Sequence, residues 1–226
     1  MIRNIVFDMG MVLLDHDPLL PCIRHAGRER AQALCDGIFW HPEWMELLDG
    51  GVMDEQAYIP RAQSRFEDPE MKRLVAEILN DWYLDALYPK SGMEAVQKDL
   101  LDRGFRLYVL SNAGYSFHKF SYKIKHIDRF SGIMVSAEER LMKPDPAIYR
   151  RLCDRFLLEA SECLFIDDLP RNIEGAQKAG MNGYCFQDAA AVLSGSSQRL
   201  RGMWDAAMDC VSGCGLRAKR GPEPAL

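Results

Sequence analysis

The chain has 226 residues, of which 48% are hydrophobic and 27% charged, and its formal net charge is −5. That length holds one α/β domain, or a core with a smaller inserted one, and the acidic balance excludes a basic face for nucleic acid. No apolar run reaches the roughly 18–20 residues of a membrane-spanning helix.

The opening segment MIRNIVFDMG enters a buried strand at once and lacks the apolar stretch and small-residue cleavage site of a signal peptide. Five short, unbroken apolar runs follow in the chain: Asn4–Phe7, Phe105–Leu110, Gly132–Val135, Cys163–Ile166 and Gly183–Phe186. Unbroken runs suit strands covered on both faces. Helical patterns at Met93–Leu101, Ala147–Phe156 and Ile173–Ala179 lie between them. This alternation predicts an α/β fold, a Rossmann-like parallel sheet flanked by helices with right-handed crossovers.

From Pro18 to Tyr83 the patterns are helical throughout. Asp17-Pro18, Asp54 and Pro69 mark helix starts. A simple crossover needs only about a dozen residues, so this stretch predicts an inserted all-helical unit over 16–88. Its hinges would be Leu14–Asp17 and Leu87–Ser91, with the core formed by 1–15 and 89–191. Past Ala191, Ser194–Ser197 reads as a turn or linker, Leu200–Val211 as a last amphipathic helix, and Gly213–Leu226 as a disordered tail whose basic stretch Arg217–Arg220 is a solvated end. The seven cysteines (Cys22, Cys35, Cys153, Cys163, Cys185, Cys210 and Cys214) contain no CxxC pair. An odd number without metal spacing is expected of a reduced, cytoplasmic protein.

Four constellations fall at strand ends, the rim where open α/β sheets bind ligands. Asp8 follows the first strand with Met9 and Gly10. Ser111 and Asn112 end the second, where they could hold an anion or cap the next helix. Lys143 precedes Asp145-Pro146, a helix start that holds it in an extended segment. Asp167 and Asp168 are adjacent carboxylates that repel unless a cation or proton intervenes, and hard oxygen ligands suit Mg²⁺. Each also has a plainer reading as a cap, a turn or an exposed charge. His25, His118 and His126 show no ligand spacing and read as surface or packing residues.

Taken together, FDMGMVLLD around Asp8, VLSN around Ser111, KPDP at Lys143 and FIDDLPRNIEGAQKAGM at Asp167-Asp168 resemble the four motifs of the haloacid dehalogenase superfamily over residues 1–187. The Asp-x-Gly form of the first motif resembles the α-D-glucose-1-phosphate phosphatase-like subgroup. The resemblance implies a Mg²⁺-dependent phosphatase acting on a small phosphorylated metabolite such as a sugar phosphate. It assigns Asp8 as nucleophile, Lys143 as the neutralising cation, and Ser111, Asn112, Met9 and Gly10 as phosphate contacts. Asp8, the Gly10 carbonyl and Asp168 would hold the metal, with Asp167 acting through water. Two departures stand out. Most phosphatases of the superfamily carry an Asp general acid where Gly10 stands, and a glycine where Met11 stands. Asp15 and His16 are the nearest replacements for the acid. His16, Trp40, His41, Trp44 and Met45 are candidate pocket residues, although for Trp40 and Trp44 core packing is the favoured reading, being the commoner use of aromatics. The alternatives are a metal-independent 2-haloacid dehalogenase, which would share Asp8, Ser111 and Lys143, and a non-catalytic protein that binds a phosphorylated ligand.

Overall fold

The computed structural model describes residues 1–194. The expected helix over Leu200–Val211, the tail after it, and Cys210 and Cys214 lie outside the described residues. The strands are β1 (Asn4–Phe7), β2 (Leu14–His16), β3 (Leu87–Pro89), β4 (Arg106–Ser111), β5 (Gly132–Val135), β6 (Cys163–Asp167) and β7 (Asn182–Cys185). Five of them form one parallel sheet in the order β5-β4-β1-β6-β7. All four residues of β1 are buried, as are all five of β6. That is why these runs read as continuous rather than alternating.

Side chains on successive strand residues point to opposite faces, and two apolar clusters result. Ile5 and Phe7 of β1 join Leu107, Val109, Leu164 and Ile166 on one face, while Val6 joins Tyr108, Leu110 and Phe165 on the other. The register fixes the site. Phe7 lies opposite both Val109 and Ile166, so Asp8, Ser111 and Asp167 emerge together at the carboxyl ends of the three central strands. β1 is also the switch point, since the chain leaves it for β4 on one side and returns to β6 on the other. Crevices form at such points.

Helices α1 (Leu19–Ala26), α2 (Arg28–Ile38), α3 (Glu55–Gln63), α4 (Pro69–Asp81) and α5 (Tyr83–Ala86) make up the insertion, with a π-helical turn at Trp44–Asp49. The expected starts hold: Asp54 Oδ1 accepts the Ala57 N–H at 2.8 Å, and Asp68, ahead of Pro69, accepts the Glu70 N–H at 2.9 Å. Each such cap is worth about 1 kcal/mol. The expected hinges are themselves the short strands β2 and β3, paired antiparallel as a ribbon from Leu14↔Pro89 to His16↔Leu87. Three residues are too few to display a strand period, so the sequence reads there as a break in the helices. Leu34, Ile38, Leu48, Leu74, Val75, Ile78 and Trp82 of the insertion share one apolar cluster with Phe7, Val109 and Phe120 of the sheet side. The insertion is therefore packed onto the rim. Helices α6 (Met93–Asp102), α7 (Phe117–Phe120), α8 (Ser136–Glu139), α9 (Pro146–Phe156), α10 (Pro170–Lys178) and α11 (Ala189–Ser194) complete the described residues. Asp145 caps α9 through the Ala147 N–H at 2.8 Å. Asn172 lies inside α10, two residues past its start at Pro170.

Candidate active site

All four motifs meet at Lys143, a 5% exposed lysine. Its Nζ stands 2.7 Å from Asp8 Oδ1 and 2.8 Å from Asp167 Oδ2, and 5.4 Å above the Phe165 ring. Burial alone would lower the lysine's pKa, but Asp8 and Asp167 outweigh it and hold the ammonium charged. Burial raises the Asp8 carboxyl, and Lys143 pulls it back toward the ionised form. Asp8 Oδ1 also accepts the Met9 N–H at 2.7 Å.

Asp167 is fully enclosed. Its oxygens accept from Lys143 Nζ, from the Leu169 N–H at 2.9 Å and from Asn172 Nδ2 at 3.0 Å to each. Every lone pair that faces a donor is used, so Asp167 orients Lys143. Asp168 is half-buried and makes no side-chain hydrogen bond to another described residue. Burial, reinforced by Asp167, raises its pKa. Carboxylate oxygens of Asp8, Asp167 and Asp168 lie within 4.8 Å of one another. Three carboxylates face one ammonium, and neither Asp8 Oδ2 nor Asp168 has a partner on another described residue. That excess negative charge and those free oxygens suit Mg²⁺, which takes one or two carboxylates and keeps waters.

Ser111 ends β4 and is 1% exposed. Asn112 lines the same cavity as Asp8, and its amide also reaches Lys143. Its Nδ2 donates to Lys143 O at 2.9 Å, and its Oδ1 accepts from Lys143 N at 2.8 Å. One N–H and one lone pair of the amide hold the lysine's backbone. Gly10 has open space where a Cβ would stand. Met11 adopts φ +59°, the left-handed region that costs a non-glycine residue roughly 1–2 kcal/mol. This is the position where the resemblance expects glycine.

The rim opens into a cavity of about 430 Å³, lined by Asp8, Gly10, Ser111, Lys143 and Asp168 on the sheet side. Its far wall comes from the insertion. His16, Trp40, His41, Trp44 and Met45 all line it, as the sequence suggested, and Phe39, Trp82 and Phe120 line it too. Trp40 stands 63% exposed at the mouth, whereas Trp44 packs edge-on to Tyr58 and Trp82. Of the two candidate acids, Asp15 is paired with Lys90 Nζ at 2.6 Å on the ribbon and does not line the cavity. His16 lines it, but burial lowers its pKa below the ordinary 6.5. The neutral imidazole is then the form present at pH 7. His25 and His118 pair with acidic side chains at the surface, and His126 takes a left-handed turn before a short helix.

Three charged residues of the cavity lie outside the candidates that the sequence offers: Asp49, Glu55 and Arg171. Asp49 ends the π turn, and Glu55 opens α3. An Asp ahead of Gly50-Gly51, or a Glu in a first helical turn, looks like routine helix punctuation.

The chain is similar to enzymes of known class. It is 31% identical over 188 residues to a sesquiterpene phosphatase from Aspergillus oryzae, spanning 82% of this chain and 90% of that one. It is 25% identical over 193 residues to an (S)-2-haloacid dehalogenase from Burkholderia cepacia, spanning 80% and 81%. An enzyme of the haloacid dehalogenase family from Bacteroides thetaiotaomicron, crystallised with magnesium and inorganic phosphate, shares the fold at a TM-score of 0.64 and 20% identity. That match covers 83% of this chain and 96% of the other. The family profile described as haloacid dehalogenase-like hydrolase matches residues 2–180, and the chain belongs to that family.

Proposed function

We propose that this hydrolase is a magnesium-dependent phosphatase that cleaves a small phosphate ester through an aspartyl-phosphate on Asp8. The observation that carries this reading is Lys143, bridging Asp8 and Asp167 at 2.7 and 2.8 Å with Asp168 alongside. Two anions must approach for Asp8 to attack a phosphate, and a buried ammonium between them offsets the repulsion. Asp8, the Gly10 carbonyl and Asp168 would hold Mg²⁺, which when bound supplies positive charge to the phosphoryl oxygens. Ser111 and the N–H groups after Asp8 hold the phosphate, Asn112 and Asp167 fix Lys143, and residues 16–88 act as a cap over a core of 1–15 and 89–191. Closed over the cavity, the cap excludes water and selects the leaving group.

The subgroup resemblance points to a sugar phosphate, while the cavity wall supports a less polar leaving group. Phe39, Trp40, Trp44, Trp82 and Phe120 offer rings to the organic part, and sugar hydroxyls buried against them would lose hydrogen bonds to water without replacement. The similarity to a sesquiterpene phosphatase supports the same reading. The dehalogenase alternative does not need the Asp167-Asp168 pair.

The test is a comparison of kcat/KM for a prenyl monophosphate, a sugar 1-phosphate and p-nitrophenyl phosphate, with Mg²⁺ and with EDTA. Turnover is expected only with Mg²⁺, and faster for the prenyl ester than for the sugar. Dehalogenation of a 2-haloacid in EDTA would replace this reading. Phosphate binding without any turnover would favour the non-catalytic alternative.

A further inference from the structure

We propose that Asp49, carried on the insertion, is the general acid that the first motif lacks at Gly10, and that Glu55 keeps it competent as a positioning residue. The inference rests on the phosphatase reading and adds a residue to it.

The placement of Asp49 carries the argument. In an in-line displacement the leaving oxygen departs from the side of phosphorus away from the nucleophile. Asp8 attacks from the sheet edge, so the leaving oxygen faces the insertion, and Asp49 lies on that wall of the same cavity. Its backbone is held in place: Ser136 Oγ donates to Asp49 O at 2.6 Å, and the same Oγ accepts the Ala113 N–H at 3.0 Å. Two residues on, Tyr115 Oη donates to Gly51 O at 3.0 Å. Gly51 has φ +72°, and a Cβ there would collide with the Ala137 carbonyl, so the turn fits tightly against the loop that follows β4 and against α8. Asp49 closes a π-helical turn, in which the Gly50 N–H reaches back to Met45 O at 3.0 Å. Such turns recur at functional sites.

The carboxyl of Asp49 has no hydrogen-bond partner among the described residues, unlike Asp15, which is spent on Lys90. It does not belong to the Asp8, Asp167 and Asp168 cluster. Its charged neighbours are Glu55 on the insertion, and Asp8 and Lys143 on the core. Glu55 is 5% exposed and reaches over the Gly114 backbone, where its Oε1 would lie 3.4 Å from an added Cβ. Enclosure, with Glu55 and Asp8 adding to it, raises the Asp49 pKa well above the ordinary 3.8. Asp49 thus holds its proton more firmly than an ordinary carboxyl, whereas burial makes His16 release its proton more readily.

In the first step an Asp8 oxygen bonds to phosphorus as the bond from phosphorus to the ester oxygen breaks. The departing electron pair stays on that oxygen, which takes the proton from Asp49 and leaves as the alcohol. In the second step water attacks the aspartyl-phosphate. The Asp49 carboxylate accepts a proton from that water, and the acyl–phosphate bond breaks to give inorganic phosphate and the Asp8 carboxylate. Asp49 ends protonated, as it began.

The experiment is a leaving-group series, from alkyl phosphates to p-nitrophenyl phosphate, on wild type and Asp49→Asn with Mg²⁺. Positioned acids contribute roughly 10²–10⁴-fold. A loss on that order is expected for alkyl phosphates, and a loss of only a few-fold for p-nitrophenyl phosphate, whose leaving group needs no proton. Glu55→Gln should move the alkaline limb of the wild-type pH profile to lower pH. Equal losses across the series, or no loss, would overturn the assignment of Asp49 alone. Absence of Mg²⁺-dependent turnover in the wild type would overturn the phosphatase reading itself, and the acid assignment with it.

Discussion

Asn112 and Lys143 are locked together through opposite ends of one side-chain amide, Nδ2 to Lys143 O at 2.9 Å and Oδ1 to Lys143 N at 2.8 Å. The lysine's ammonium is thereby aimed from behind, by a residue 31 positions away in the chain. Asn112→Ala removes both bonds, each worth about 0.5–1.5 kcal/mol. Turnover is expected to fall on the order of tenfold while KM for p-nitrophenyl phosphate changes less. A KM effect as large as the kcat effect would mean that the amide contacts substrate.

Asp168 and Asp167 are adjacent in sequence and opposite in employment. Asp168 has no side-chain partner on another described residue, while Asp167 is held by Lys143, Leu169 and Asn172. Asp168→Ala is expected to raise the Mg²⁺ concentration for half-maximal activity at least tenfold, about 1.4 kcal/mol. Asp167→Asn should shift it less and lower kcat through a misaligned Lys143. Magnesium titrations of both variants check this, and the reverse order would exchange their roles.

The pH dependence of stability follows from Asp49. A carboxyl whose pKa is raised in the folded state stabilises the fold fully below its unfolded value, about 3.9. That contribution is lost as pH rises through the folded value. Asp49→Asn cannot ionise, so its melting temperature relative to wild type is expected to climb as pH rises above the unfolded value of about 3.9. Paired thermal melts measure it. A difference that stays constant with pH would place Asp49 in open solvent.

Gly10 has room for a side chain, with no atom within 4 Å of an added Cβ. Gly10→Asp is expected to fold, and in the Asp49→Asn background to recover at least tenfold in kcat/KM for alkyl phosphates, part of the roughly 10²–10⁴-fold that a positioned acid supplies. Folded but unrescued protein would show that an acid at position 10 cannot reach the leaving oxygen.

What the sequence displays and what it hides follow from range. Asp8, Ser111 and Asp167 each stand next to the apolar strand that positions them, so strand, turn and functional group can be read within a few residues. Met11 was visible as a missing glycine, and its left-handed backbone follows from that. The ribbon formed by β2 and β3 was not visible, because each strand is shorter than the pattern that reveals strands. Nor was the work of Asn112 and Asp49. A local reading gives Asn112 to an anion or a cap, and the fold adds its hold on Lys143. The Asp49 carbonyl is held by Ser136, 87 residues away in the chain, and that distance leaves no local trace.

The most direct measurement asks where the phosphoryl group goes. The enzyme is mixed with substrate and Mg²⁺, quenched in acid during turnover, digested and examined by mass spectrometry. A phosphoryl adduct on the peptide carrying Asp8 is expected in the wild type, with none in Asp8→Asn, whose kcat should fall below a tenth of wild type, at least about 1.4 kcal/mol of barrier. An adduct elsewhere, or Asp8→Asn turning over at more than that rate, would contradict Asp8 as the nucleophile.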